Sequence, residues 1–145
     1  SWDILITIAC AFAISKAMVN SGVADAVARF IIGMSHHYGP HVLLAAVFII
    51  TNLFTELITN NAAAALAFPL ALSISSQMGV SPMPFFVVIC MAASASFSTP
   101  IGYQTNLIVQ GIGNYKFTDF VRIGLPLNII TFLISIFLIP LIWPF

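Results

Sequence analysis

The sequence contains very few charged residues. Among 145 residues, four are Lys or Arg and four are Asp or Glu, so charged residues make up 6% of the chain. Soluble domains carry about 25% charged residues, and this chain has too few of them to cover a surface that faces water all round. Hydrophobic residues make up 61%, and the mean hydropathy is +1.11. The composition therefore predicts a protein that crosses the lipid bilayer several times.

The chain also lacks a basic cluster, a cysteine framework and an enzyme motif. The formal net charge is zero, which argues against a nucleic-acid partner. Cys10 and Cys90 each stand alone in an apolar run, so we expect small packing residues and not a disulfide. Gly111-x-Gly113 is too short for a nucleotide fingerprint, and no organic cofactor is expected. No nucleophile–base pair or acidic dyad falls at matching depth, so we do not expect an enzyme.

Apolar runs and helical periodicity divide the chain into segments. Apolar runs of about 20 residues predict membrane spans, and runs that place apolar and charged residues on opposite helix faces predict amphipathic helices along the membrane interface. The predicted segments of this all-α membrane protein are a span at 3–19, an interfacial helix at 21–38, a re-entrant helical hairpin at 41–78, a broken span at 84–111, an interfacial helix at 114–123, and a final span at 125–143.

The predicted hairpin carries polar residues into an apolar run. Polar side chains form two rows at i, i+4 and i+8, and adjacent rows share one helix face. A helix surrounded by lipid would not keep such a face, so we expect a hairpin whose tip lies within the membrane. The alternative is an ordinary loop that joins two full spans. The two rows are Thr51, Thr55 and Thr59, and Asn52, Glu56 and Asn60.

The stretch "STPIGYQTN" predicts a second interruption, within the span at 84–111. Pro100 lacks an N–H and disfavours helix at Thr99, and Gly102 follows two positions later. We expect the break at 98–106, flanked by hydroxyl and amide side chains. The alternative is a plain structural kink.

Each break offers the same chemistry. One helix stops and exposes carbonyl oxygens, while another helix starts and exposes N–H groups. Carbonyls and a helix C-terminus suit Na⁺, and helix N-termini with Thr and Asn suit an anion. Neither break contains Lys or Arg, which makes coupling to a cation attractive. Glu56 is an acid within the predicted membrane region, and it either ties the hairpin together by hydrogen bonds or takes part in coupling.

At these two breaks the chain resembles the divalent anion:sodium symporter family, the sodium/sulfate and dicarboxylate permeases of the wider ion transporter superfamily. That family has a Ser-Asn-Thr motif at each hairpin tip, and "TNN" takes that place in "TELITNNAAAALAFPLA". Its second signature is Pro-x-Gly/Ala followed by Thr-Pro-Pro-Asn. Pro100, Gly102 and Asn106 of "TPIGYQTNLIVQG" coincide with it, and the resemblance covers essentially the whole chain.

The resemblance implies a fold of two inverted repeats, of which this chain is most of the second. The missing N-terminal repeat of the same transporter is then a partner, and transport is elevator-like. A Na⁺ ion would be bound between the hairpin tip and the second break, partly by backbone carbonyls. The implied Na⁺ ligands are Thr55, Ile58, Asn60, Pro100 and Gly102, and the implied substrate contacts are Thr59, Asn60, Asn61, Tyr103, Gln104, Thr105 and Asn106.

Two departures from the family pattern concern the substrate. Thr59 replaces Ser and preserves a hydroxyl, whereas Tyr103, Gln104 and Thr105 replace Thr-Pro-Pro and add bulk and donors. The family's dicarboxylate preference therefore does not carry over, and sulfate is an equal candidate.

The leading hypothesis is sodium-coupled secondary transport of sulfate or a dicarboxylate, with Na⁺ as the co-transported ion. One alternative is a proton-coupled or arsenite-type transporter of the same superfamily, with Glu56 as the proton carrier. Another is a membrane subunit that only anchors a partner. We expect a multi-pass protein of the bacterial inner membrane, which is a homodimer when full length. A site at a repeat interface needs both repeats, so this chain by itself should not transport.

Overall fold

The computed structural model describes residues 2–34 and 39–145. Within these residues the chain forms seven α-helices and no strand, which confirms the predicted all-α class. The end of the interfacial helix predicted at 21–38 lies partly outside the described residues. The helices are α1 (Trp2–Asn20), α2 (Val23–Met34), α3 (Gly39–Leu57), α4 (Asn60–Met78), α5 (Met83–Ser94), α6 (Gln104–Gly113) and α7 (Phe117–Ile142).

Helix α4 lies at the centre of the fold. It packs against α1, α2, α3 and α5. Its sequence is rich in alanine, and Ala63, Ala67 and Ala71 are fully buried at successive i+4 positions. Small side chains along one stripe let neighbouring backbones approach closely. Gly79 ends the helix in the left-handed conformation (φ 67°), and its N–H donates to Ser75 O, which is a common helix termination.

The hydrophobic core lies between α3, α4 and α5. Large side chains from each helix are fully buried there, including Phe48 of α3, Ile74 of α4 and Phe85 of α5. Phe132 of α7 adds an edge-to-face contact with Phe48, with ring centroids 5.3 Å apart. This packing holds the hairpin formed by α3 and α4 against the helix that precedes the second break.

The last two helices are much less enclosed. Among the described residues α6 makes no helix–helix contact and has no buried residue. Helix α7 buries one stripe, formed by Gly124, Asn128, Ser135 and Ile139. Its other faces are apolar and exposed, as at Phe137 (69%). Apolar surface of this extent requires lipid or further protein.

Among the described residues, two helices, α3 and α7, are long and apolar enough to cross a membrane, by length and composition. Helix α7 differs from the sequence expectation, because one continuous helix covers both the interfacial helix predicted at 114–123 and most of the predicted final span. Its first turn is held by Asp119 Oδ2, which accepts from Lys116 N at 2.8 Å. Gly124 does not end the helix. A Cβ there would lie 2.0 Å from Phe97 O, so this glycine allows a close approach between α7 and the second break.

Two smaller features lie outside the core. Cys10 and Cys90 have free thiols, but both are exposed in the described chain, so the expectation of packed cysteines was wrong within this chain. Both face outward from their helices, toward the surface that lipid or further protein covers.

Helix α4 also contacts α2 through polar side chains. The Ser73 hydroxyl donates to Asp25 of α2, and Gln77 Nε2 donates to Ser73 Oγ at 2.9 Å.

Candidate ion-binding and anion-binding site

The hairpin tip is a short turn that is organised by its own residues. Helix α3 ends at Leu57 and α4 begins at Asn60. Thr59 has an extended backbone, and its Oγ1 accepts from Ala62 N at 3.4 Å, so it is the N-cap of α4. The positive end of the α4 dipole therefore lies at the tip. Thr59 and Asn61 are exposed there, where a ligand could reach them.

The second break begins three residues earlier than the sequence predicts. Helix α5 ends at Ser94 and α6 begins at Gln104, so the non-helical residues are 95–103. Asn52 of α3 explains the early ending, because its Nδ2 donates to Ala95 O at 2.7 Å and is 3.4 Å from Ala92 O. Ala95 O thus obtains a donor from another helix in place of a helical N–H.

A second amide side chain supports the same break from α6. Asn106 Nδ2 donates to Ser96 O at 3.0 Å and to Thr99 O at 3.1 Å. Main-chain groups that leave a helix within a membrane must be satisfied inside the protein. Asn106 does this here, so its amide nitrogen is occupied by the backbone of the break.

The C-terminal end of α3 packs directly on the second break. Ser96 Oγ donates to Thr55 O at 3.1 Å, and Thr99 Oγ1 donates to Glu56 O at 2.7 Å. The Thr55 hydroxyl lies 2.7 Å from Ala93 O and 2.9 Å from Asn60 Oδ1. The last carbonyls of α3, the hairpin tip and the break therefore meet at one place.

Gly102 lies in the tightest part of this junction. A Cβ on Gly102 would lie 2.1 Å from Ser96 Oγ and 2.2 Å from Thr55 O. No larger residue fits without moving backbone. Since Thr55 also contacts Asn60, the structure brings Thr55, Asn60 and Gly102 together, as a shared ion site requires.

The other predicted site residues are placed around this junction. Pro100 is buried and Ile58 is partly buried. The side chains at 103–105 are exposed at the start of α6, and that helix directs its positive dipole end toward the break. Their roles as ion and substrate ligands stay predictions.

Glu56 connects three parts of the chain. Its Oε1 accepts from Phe97 N at 3.1 Å, from Ser98 N at 2.9 Å, and from Asn128 Nδ2 at 2.8 Å. Asn128 Nδ2 also donates to Ser98 Oγ at 2.8 Å. Glu56 and Asn128 are 8% and 7% exposed. The carboxylate therefore ties α3 to the break and to α7.

Asn128 is a residue of this site that was not predicted from the sequence. The signal was present, because Asn128 is the one amide side chain in the apolar run 125–143, and a polar residue within a membrane span usually faces the protein interior. Its partners, however, are 30 and 72 residues away, and no local pattern indicates them.

Comparison with known proteins identifies the class of this chain. Residues 1–144 match a protein-family model described as a citrate transporter. An uncharacterized transporter of Synechocystis sp. is 40% identical over 142 residues, which cover 98% of this chain and 23% of the relative. Sodium/sulfate cotransporter 1 of Chlamydomonas reinhardtii is 37% identical over 139 residues (95% and 16%). A sodium-dependent dicarboxylate transporter of Staphylococcus saprophyticus is 25% identical over 146 residues (99% and 27%).

These comparisons confirm the resemblance to sodium/sulfate and dicarboxylate permeases, and with it the expectations of a membrane protein that is not an enzyme. The chain spans between 16% and 28% of the length of the curated relatives that it matches.

Proposed function

Because the chain belongs to the citrate transporter family, we propose that its full-length protein is a secondary active transporter that couples Na⁺ to a small divalent anion. The anion is sulfate or a dicarboxylate. The observation that carries the proposal is the junction at which Thr55, Asn60 and Gly102 meet. This chain supplies one half of the site, and the N-terminal repeat supplies the other.

The junction has the chemistry of a Na⁺ site. Hard cations prefer oxygen ligands, and here the end of α3 and the break both present carbonyl groups beside Thr and Asn oxygens. The sequence contains no Lys or Arg from residue 30 to residue 115. We assign the ion to Thr55, Ile58, Asn60, Pro100 and Gly102, partly through their backbone carbonyls.

The anion lies beside this ion, between two helix N-termini. Helices α4 and α6 begin at Asn60 and Gln104, and helix N-termini attract anions through their dipole and free N–H groups. Thr59, Asn60 and Asn61 at the tip, and Tyr103, Gln104 and Thr105 at the start of α6, are the proposed contacts, whereas Asn106, which was predicted with them, already donates both amide hydrogens to the break. Since no basic side chain is present there, the bound Na⁺ provides the positive charge. Anion binding then depends on Na⁺, which is the physical basis of symport.

The packing supports a joint movement of the hairpin and the second break. Asn52 donates to the break, and Thr55 O and Glu56 Oε1 accept from it, so we propose that the two parts move as one body in an elevator-like cycle. The hairpin is re-entrant, and the chain is the second of two inverted repeats. The full-length protein is a multi-pass homodimer of the bacterial inner membrane.

Uptake by the full-length protein in proteoliposomes tests this function. Radiolabelled sulfate and succinate are supplied with Na⁺ outside, or with choline at the same pH. We expect that one of the two anions accumulates with Na⁺ and that choline abolishes its uptake. Uptake that is indifferent to Na⁺ would contradict sodium coupling and favour a proton-coupled transporter.

A matched pair of variants connects the activity to the junction. Asn60→Ala removes an oxygen from the proposed site, and we expect the Na⁺ concentration for half-maximal uptake to rise by at least tenfold. Asn20→Ala is the control, because Asn20 is exposed at the end of α1. If Thr59→Ala and Asn60→Ala both leave uptake unchanged, the junction is not the transport site.

A further inference from the structure

Two buried oxygen atoms at the contact between α3 and α7 have no hydrogen-bond partner within the described chain. They are Glu56 Oε2 and Asn128 Oδ1, and each exposes less than 1 Å². The two groups are in direct contact, because Asn128 Nδ2 donates to the other carboxylate oxygen at 2.8 Å. An ionised carboxylate and an amide oxygen are both acceptors, so neither can satisfy the other.

The carboxylate also lacks a counter-charge. All three donors to Glu56 Oε1 are neutral amides. The four basic residues of the chain are Lys16, Arg29, Lys116 and Arg122, and none of them donates to Glu56, because the donors to Oε1 are amides and Oε2 has no partner within the described chain. A buried charge is expensive unless an opposite charge accompanies it. An ionised Glu56 therefore needs a positive partner.

The burial of the two oxygens limits the size of that partner. Because each exposes less than 1 Å², a side chain from the rest of the protein or a lipid headgroup could not reach them. A bare monovalent ion is smaller than a water molecule and balances one carboxylate. Ser98 Oγ, which accepts from Asn128 Nδ2 at 2.8 Å, is a further oxygen at the same place.

We propose that Glu56 Oε2 and Asn128 Oδ1 bind a dehydrated monovalent cation, which is Na⁺ in the sodium-coupled transporter proposed above. The site is separate from the Thr55–Asn60–Gly102 junction, and its identification with Na⁺ rests on the proposed function. Ser135 Oγ, also buried without a partner, is not part of it, since seven residues of helix place Ser135 about 10 Å from Asn128. A cation here joins α3, the second break and α7.

Glu56→Gln in the full-length protein is the principal test. The amide has the shape of the carboxylate, and its oxygen keeps the three donors to Oε1. The substitution therefore removes the charge and keeps these hydrogen bonds. We expect purified protein without anion to bind one ²²Na⁺ fewer per protomer than the wild type, with a melting temperature in choline that is not lower. An unchanged number of bound Na⁺ would overturn the proposal.

Asn128→Asp tests the same site by adding a carboxylate, whereas Glu56→Gln removes one. Two facing carboxylates repel each other without a cation, so the melting temperature in choline should fall. Saturating Na⁺ should then raise it by a larger increment than in the wild type, because ligand binding to the native state stabilises it. If Na⁺ raises the melting temperature by no more than the wild-type increment, the pair is a structural contact only and the proposal fails.

Asn60→Ala distinguishes this site from the junction site. We expect Asn60→Ala and Glu56→Gln to lose different ions, so that the double variant binds two fewer Na⁺ than the wild type. If Glu56→Gln loses one Na⁺ although anion uptake does not depend on Na⁺, the cation site stands and the proposed coupling fails. If uptake depends on Na⁺ and Glu56→Gln binds the wild-type number, the coupling stands and the cation site fails.

Discussion

The two helix breaks of this chain obtain hydrogen-bond partners for their non-helical residues in different ways. At the hairpin tip only residues 58–59 leave the helix, and their partners are near neighbours, such as Phe54 O for Ile58 N and Ala62 N for Thr59 Oγ1. At the second break residues 95–103 leave the helix, and the partners come from α3, α6 and α7. The first break is built locally, whereas the second depends on the tertiary structure.

The difference shows how a chain can keep some polar groups free while it satisfies others. The tip needs little support, so Thr59 and Asn61 stay exposed and available to a ligand. The second break needs most of its polar neighbours for its own backbone, which is why Asn52, Asn106 and Glu56 are engaged there. Substitutions at the second break should therefore affect stability more than those at the tip.

The largest loss of stability is expected for Gly102→Ala. Its Cβ would lie 2.2 Å from the backbone oxygen of Thr55, which cannot rotate away, so we expect a loss of about 3 kcal/mol or more. Thermal unfolding of the purified full-length protein measures the loss. Gly111→Ala is the control, because a Cβ at Gly111 meets nothing within 4 Å and an alanine stabilises a helix by about 0.5–1 kcal/mol. Equal melting temperatures for the two variants would refute the close approach.

The second largest effect is expected for Glu56→Ala. It leaves the partly buried N–H groups of Phe97 and Ser98 without their acceptor, and unsatisfied buried donors destabilise by about 1–3 kcal/mol each. Because the two groups are only partly buried, we expect a total loss at the low end, about 2–3 kcal/mol in choline. Glu56→Gln keeps the acceptor and should unfold at the wild-type temperature or above, so a large loss in Glu56→Gln would show that charge, not hydrogen bonding, holds the break.

A smaller loss is expected for Asn52→Leu, which removes the donor to Ala95 O. We expect about 1–2 kcal/mol, because one buried carbonyl loses its partner. Asn61→Ala at the exposed tip should change stability by less than about 0.5 kcal/mol, while it weakens anion binding. Melting temperature and anion affinity are measured for both variants. If Asn61→Ala lowers the melting temperature more than Asn52→Leu does, the second break is not the part that depends more on its polar side chains.

A loss of stability smaller than that of Asn52→Leu is expected for Thr59→Ala. Loss of an N-cap destabilises by about 0.5–2 kcal/mol, and the long 3.4 Å bond to Ala62 N places this variant at the low end. Thr59→Ser keeps the hydroxyl and should retain both stability and transport. If Thr59→Ala destabilises as much as Glu56→Ala, the tip is not a locally organised turn.

Local signals explain which parts of the fold were predictable. Pro100 and Gly102 indicated that a helix breaks near them, and Gly79 indicated the end of α4, because backbone restrictions act over a few residues. The sequence indicated the start of the second break three residues too late, because Asn52 acts on Ala95 from 43 positions away. The predicted boundary between 114–123 and 125–143 is absent, and Gly124, which lies there, approaches Phe97 closely.

Composition and short-range periodicity were enough to predict that this protein is helical, that it belongs in a membrane and that its polar residues gather at two breaks. The tertiary structure was needed to show which backbone groups Asn52 and Glu56 satisfy and that Asn128 joins Glu56. The pairings of Asn52, Glu56 and Asn128 span 30 to 72 residues, and they depend on how closely whole helices approach one another, which no short stretch of sequence specifies.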